Sequence, residues 1–193
     1  MTAKGIHYLD VGTSGGPAGA RHGACLMIGG KQNIYEKLEP LFKALAKNNS
    51  YQFFGFAGAG HFVKMVHNGI EYGMMQAIAE GFAILKKSRF KLNLTDVAEI
   101  YNNGSVIESR LVGWMKKAFE LHGENLKGVS GKVSHTGEGA WTVQTAHDLK
   151  MKAKIIEEAL KFRIQSKKNP DFTGQAVSAL REQFGGHSVT EEK

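Results

Sequence analysis

Lys64, His67, Asn68 and Glu71 stand at positions i, i+3, i+4 and i+7 of the stretch Gly60-His-Phe-Val-Lys-Met-Val-His-Asn-Gly-Ile-Glu-Tyr-Gly-Met-Met-Gln76. On an α-helix those offsets share one face. An amine, an imidazole, an amide and a carboxylate thus form a ladder of groups able to take up, hold and release protons. The positions between them are mostly Phe, Val, Met and Ile, the pattern of a helix buried almost all round. The bland alternative is an amphipathic helix with a wet polar stripe. Gly69 and Gly73 each cost about 1 kcal/mol against Ala in a helix interior. That cost is tolerable where another element must approach the backbone closely.

The elements before this helix read as α/β. His7–Val11 is expected as a short strand running into the turn Gly12-Thr-Ser-Gly-Gly16, and Ala24–Ile28 as a second strand. Ile34, Leu38, Leu41, Phe42 and Leu45 give helical spacing over Asn33–Ala46, closed by Asn48-Asn49. Gln52–Phe54 is a third strand, and Gly55–Gly60 links it to the ladder. Strand, helix, strand at these lengths is α/β architecture, but only a piece of such a fold. No Gly-x-Gly-x-x-Gly follows a strand, so the phosphate turn of a dinucleotide domain is absent from the sequence.

Beyond Ser88 the pattern is helical. A helix opens at Leu94-Thr95, with Thr95 as the expected N-cap, and another covers Val106–Leu121. Gly123–Gly139 is a long glycine-rich loop of the kind that usually carries function. Trp141 starts a helix that continues, with a break, to Phe162. Gln175–Phe184 is a last short helix, and Gly185–Lys193 is a polar tail with no means of forming a core.

Forty-two per cent hydrophobic residues suits an ordinary globular chain. No apolar run approaches the ~20 residues that cross a bilayer, and Met1-Thr-Ala-Lys-Gly lacks a signal peptide's apolar core. The single cysteine, Cys25, excludes an internal disulfide, and its apolar neighbours suggest a buried, inert thiol. A cytoplasmic protein is expected. The net charge of +7 asks for an anionic partner. The lysines are scattered over many expected helices, so a small phosphorylated substrate fits as well as nucleic acid, and charge alone does not decide between them.

The run from Gly60 to Gln76 resembles the catalytic-helix signature of the 6-phosphogluconate dehydrogenases, and the likeness extends from about His7 to the C-terminus. It implies an α+β fragment: residues 1–57 as the end of a Rossmann-like dinucleotide-binding domain, and 58–193 as the all-helical catalytic and dimerisation domain of the shorter bacterial type. A truncated gene, an excised piece and one half of a split protein stay open as its origin. The implied activity is oxidative decarboxylation of 6-phosphogluconate to ribulose 5-phosphate with NADP or NAD, in the pentose phosphate pathway. The isolated chain is expected to be inactive.

By resemblance, Lys64 is the general base and Glu71 the general acid. A lysine serves as base only if its pKa, ordinarily ~10.4, is lowered, which burial on an apolar helix would do. Two helical turns separate the two residues by ~10.5 Å, enough for a small sugar acid to lie between them. The likeness further implies substrate contacts from Ser14, Gly15, Gly16, His67, Asn68, Tyr72 and Arg163, with Asn68 also near the nicotinamide. Arg181 and His187 are implied to enter a neighbouring subunit's site in a homodimer. Singly, each residue has a plainer reading: a snorkelling lysine, a core histidine, a surface glutamate, a dipole-compensating arginine, a disordered tail. The chain departs from the family before Gly139-Ala-Trp-Thr142, where a lysine and a threonine of some members have no clear counterparts. Ser134, His135 and Thr136 are available for that part. Two rivals remain: a non-catalytic dimer that binds a sugar phosphate, and a basic helical nucleic-acid binder.

Overall fold

Leu9–Ser14, where Leu and Val alternate with polar residues or Gly, and the apolar run of Ala24–Gly30 form the first ribbon of the chain, seen in a computed structural model that describes residues 4–190. Two compact units part between Asn68 and Gly69. The first contains β1 (Leu9–Ser14), α1 (Gly16–His22), β2 (Ala24–Gly30), α2 (Gln32–Leu45) and β3 (Ala46–Phe53), and leads into α3 (Ala59–Lys87). The sheet order is β1-β2-β3. β1 runs antiparallel to β2, with Leu9 opposite Gly30 and Ser14 opposite Cys25, while β3 is parallel to β2. Ala24, Leu26, Ile28 and Phe42 form its core, with the Tyr35 ring stacked on Phe42 and Phe53.

Four local expectations are corrected here. Gly12–Ser14 belong to β1 rather than to a turn, because Met27, Leu26 and Cys25 stand opposite them. The unforeseen α1 follows at once; Pro17 suits its first turn because the fixed φ is already helical. β3 starts at Ala46, well before Gln52. Asn48 and Asn49, expected to close α2, lie inside it at φ 49° and 61°, where its pairing with β2 shifts register. Cys25 is exposed because it lies near the start of β2, while Met27 and Gly29 further along the same face are covered.

The start of α3 is fixed by a carboxylate. Asp10, only 1% exposed, accepts hydrogen bonds from the backbone N–H groups of Gly58 (2.6 Å) and His61 (2.8 Å). Burial alone would raise its pKa. The two N–H bonds and the charge of His61 outweigh that and hold the carboxyl below its usual range. Gly12 brings β1 onto the first turns of α3: a Cβ there would lie 2.8 Å from the Gly60 carbonyl and inside the Lys64 side chain.

From Gly69 onward the chain is helical: the rest of α3, then α4 (Leu94–Tyr101), α5 (Arg110–His122), α6 (Glu138–Asp148), α7 (Lys154–Ser166) and α8 (Phe172–Gly185). Met75, Phe82, Leu94, Met115, Phe119, Val177 and Leu180 build one core. Asn93 caps α4 by accepting from Asp96 N–H, so Thr95 is not the cap; its N–H and hydroxyl bond Glu124 instead. The break expected between Trp141 and Phe162 falls at residues 149–153, with Lys150 at φ 57°. The tail departs from expectation: Val189 joins the core and its carbonyl accepts from Ser130 N–H at 2.7 Å. Nor is α3 covered all round, for Phe62, Ile70, Met74 and Ile84 are exposed. No described helix is long and apolar enough to cross a membrane.

Replacing Asp10 by Ala takes the carboxylate partner from the Gly58 and His61 N–H groups and removes the anchor of α3. Urea unfolding should show a loss of about 2 kcal/mol at neutral pH. Because the folded-state pKa is depressed, Asp10's contribution is whole above its unfolded value near 3.9 and fades as pH falls through the folded value. The wild type should therefore lose this increment below about pH 4, and Asp10→Ala should not. A variant within about 0.5 kcal/mol of wild type would contradict the anchoring role.

Candidate active site

The first unit places four predicted residues together. Ser14, the last residue of β1, meets the imidazole of His67: Oγ lies 3.2 Å from Nε2. The other ring nitrogen, Nδ1, is 3.0 Å from the Asn68 amide oxygen, which also accepts from the Lys64 ammonium. An amide oxygen only accepts, so His67 Nδ1 carries hydrogen. In the neutral ring Nε2 is then the acceptor and the Ser14 hydroxyl the donor. A chain of polar groups runs from the sheet to the helix, and Lys64, His67 and Asn68 are all half-buried. Gly15 and Gly16 turn the backbone out of β1 at φ 133° and 59°, beside the hydroxyl.

The second unit gathers the others. Tyr72 is buried, Glu71 beside it half-buried. The Arg163 guanidinium lies over the Tyr72 ring, 3.4 Å from its centroid, and also contacts the Met75 sulfur at 3.6 Å. Though in the last turn of α7, Arg163 is only 2% exposed, so it does more than complement a helix end. Burial lowers its pKa to about 10, with Arg181 adding to the shift and Tyr72 and Glu71 opposing it; it stays charged at pH 7. Arg181, 6% exposed, donates to the Ser134 hydroxyl at 2.8 Å. Its pKa is lowered by burial, against the pull of Tyr72, Glu71 and Glu138. His187 is half-buried and lowered likewise, first by burial and then by Arg181 and Arg163. Arg181 and His187 were expected to serve a neighbouring copy. Both stand within Coulomb range of this chain's own Arg163, and Arg181 sits in the buried face of α8.

Gly69 meets the expectation that something approaches the α3 backbone. A Cβ there would lie 2.9 Å from Thr142 Cβ, and Thr142 is anchored by its own hydroxyl on the Glu138 carbonyl at 2.9 Å. Asp10, Thr142 and Met75 escaped the sequence reading as site-forming residues. The one usable signal was Asp10, a lone charge between Leu9 and Val11 in a strand.

Comparison with known proteins gives a consistent result. The model of the 6-phosphogluconate dehydrogenase C-terminal domain matches residues 60–187, and that of the NAD binding domain of 6-phosphogluconate dehydrogenase matches residues 1–58. A putative 6-phosphogluconate dehydrogenase of Bacillus subtilis is 50% identical over 193 residues, all of this chain and 64% of its own. An NAD(+)-dependent, decarboxylating 6-phosphogluconate dehydrogenase of Haloferax volcanii is 43% identical, over 94% of this chain and 61% of its own. The chain thus spans about six-tenths of the length of these two relatives. Among solved structures, the Plasmodium falciparum 6-phosphogluconate dehydrogenase superposes with a TM-score of 0.75 at 29% identity, covering 88% of this chain and 41% of that one. A 3-hydroxyisobutyrate dehydrogenase of Salmonella typhimurium matches at 0.70 and 20% identity, over 91% of this chain and 61% of that one, which speaks for the fold alone.

The tight approach at Gly69 sets up a test inside one helix. Gly→Ala in a helix interior normally stabilises by about 1 kcal/mol. Gly81→Ala, which faces open space, should do so. Gly69→Ala should instead destabilise by about 1–3 kcal/mol, because Thr142 must move. Equal gains at both positions, in paired thermal melts, would refute the packing.

Proposed function

Because the chain belongs to the 6-phosphogluconate dehydrogenase family, we propose that it carries the acid–base and substrate-binding residues for oxidative decarboxylation of 6-phosphogluconate to ribulose 5-phosphate. The observation that carries this reading is the hydrogen-bonded set Ser14, His67, Asn68 and Lys64, with Glu71 two helical turns beyond Lys64. In this reading Lys64, when neutral, takes the C3 hydroxyl proton as the C3 hydrogen departs with its electron pair. NAD or NADP supplies the hydride acceptor when bound. The bare backbone at Gly15-Gly16, the Ser14 hydroxyl and the Asn68 amide suit the nicotinamide end of either. Cleavage of the C1–C2 bond releases CO2, and its electrons form the C2=C3 double bond of an enediolate whose charge rests on the C3 oxygen. Glu71 then gives a proton to the former C2, balancing the proton that Lys64 removed. Arg163 and Arg181 take the phosphate at the other end of the acid, where planar guanidinium groups suit its oxygens.

The domain assignment follows the same reading: 1–57 as the end of the cofactor domain, 58–193 as the helical domain. We further read the bare apolar surface of α3 (Ile70, Met74, Ile84), with Trp141 and Ile155, as the contact with a second copy. A two-fold interface needs about 800 Å² per partner, and such a patch is out of place on a monomer. Light scattering should return twice 21.1 kDa, and Ile70→Glu with Met74→Glu should halve that mass. A monomeric wild type would refute the assembly.

The catalytic reading is tested without the hydride step. In D2O the chain should exchange the C1 hydrogen of ribulose 5-phosphate, followed by NMR, and Glu71→Gln or Lys64→Met should slow this by about 10²- to 10⁴-fold. Calorimetry should show 6-phosphogluconate binding far more tightly than gluconate. Binding without exchange would favour a sugar-phosphate-binding protein, and exchange within threefold of wild type in both variants would remove their roles.

A further inference from the structure

We propose that His135 is a further ligand of the substrate's phosphate, and that it takes up a proton as the dianion arrives. This rests on the reading above, in which the second unit receives the phosphate end of 6-phosphogluconate. His135 stands in the loop between Val133 and α6. Its Nδ1 is sealed from solvent and has no hydrogen-bond partner among the described residues. Such an atom costs about 1–3 kcal/mol, and native proteins keep few of them. A ligand that brings its own acceptor would remove the cost.

The surroundings specify which ligand. Arg163 and Lys167 face His135 from the end of α7, Arg181 from α8 and Glu138 from the start of α6. His187, after α8, faces the same two arginines and Glu138. The two guanidinium groups touch the Tyr72 ring, the Met75 sulfur and the Ser134 hydroxyl, and Glu71 and Glu138 offset only part of the charge of Arg163, Arg181 and Lys167. Burial first, then Lys167, Arg163 and Arg181, push the imidazole below its ordinary range, against Glu138. The ligand-free ring is therefore neutral at pH 7. A phosphate dianion reverses this balance. It offsets the cationic field and places an oxygen where Nδ1 lacks a partner. The ring takes a proton from solvent, and the new N–H donates to the phosphate. A carboxylate or hydroxyl at the same place carries too little charge to do so. His135 thereby distinguishes a phosphorylated acid from its unphosphorylated parent.

The pH dependence has a diagnostic sign. A phosphate ester completes its second ionisation near pH 6, so affinity for the dianion alone would be level above about pH 7. A ring that gains a proton on binding makes affinity fall as pH rises, by up to about tenfold per unit. The experiment is calorimetry of 6-phosphogluconate on the whole chain at about pH 7 and pH 8, in two buffers of different ionisation enthalpy. Wild type should take up more than about half a proton and bind several-fold more weakly at the higher pH. His135→Asn keeps an N–H donor near Nδ1 but cannot titrate. It should lose the uptake and the pH dependence, while the ligand-free melting temperature stays level or rises, since no hydrogen bond is lost. Undiminished uptake in His135→Asn, uptake removed by His187→Asn instead, or equal uptake on titrating gluconate would overturn the proposal. Failure of wild type to bind 6-phosphogluconate would sink the functional reading itself, and shows in the first titration.

Discussion

The buried carboxylate of Asp10 decides where α3 begins, and much else follows from that point. Successive residues of a helix are rotated by about 100°. A start displaced by one residue would swing Lys64, His67 and Asn68 a quarter-turn or more away from Ser14. The two N–H groups that Asp10 holds belong to residues 58 and 61, on either side of the first helical turn. They fix azimuth as well as position. Gly12 adds the second constraint, since only a residue without Cβ lets β1 approach the Gly60 carbonyl and the Lys64 side chain so closely. A sheet edge and a helix are thus locked in phase by one charge and one missing methyl.

The second unit works against its own stability. Two guanidinium groups are nearly sealed from water, in contact with the Tyr72 ring, the Met75 sulfur and the Ser134 hydroxyl and within the pull of Glu71 and Glu138. Burying cations is costly even beside carboxylates, and well-packed apolar residues of similar volume would often serve the fold as well or better. Retaining the arginines makes sense if a ligand brings further negative charge. The site is then organised before the ligand binds, at the expense of the empty protein.

How much of this was legible varied with the range of the interaction. The ladder on α3 was readable because a long helical period repeats its message at every turn, and Gly69 announced a close neighbour by its unfavourable place in the helix. α1 was not readable: seven residues rich in Gly, Ala and Pro carry no periodic signal. The early start of β3 was hidden because Asn48 and Asn49 look like a stop, while the sheet accommodates them as an irregularity. Cys25 was misplaced because apolar neighbours were counted without regard to its place near the start of β2. Val189 was misjudged, and the burial of Arg181 hidden, for a related reason. A polar local sequence conceals a side chain whose burial depends on a loop some fifty residues earlier, around Ser130 and Ser134.

The outward thiol of Cys25 lends the chain an optical handle. It is the sole cysteine, it is exposed, and it lies directly opposite Ser14 across the antiparallel pair of β1 and β2. Opposed residues in such a ladder hold their Cβ atoms about 5 Å apart on one face of the sheet. A thiol-reactive fluorophore would therefore attach at a single known point, next to the hydroxyl that meets His67, with no engineered cysteine. Its emission would sense changes in hydration and polarity at that corner. By the same token, storage under oxidising conditions would link two copies through this position, and any oligomer seen without reductant has to be distinguished from that adduct.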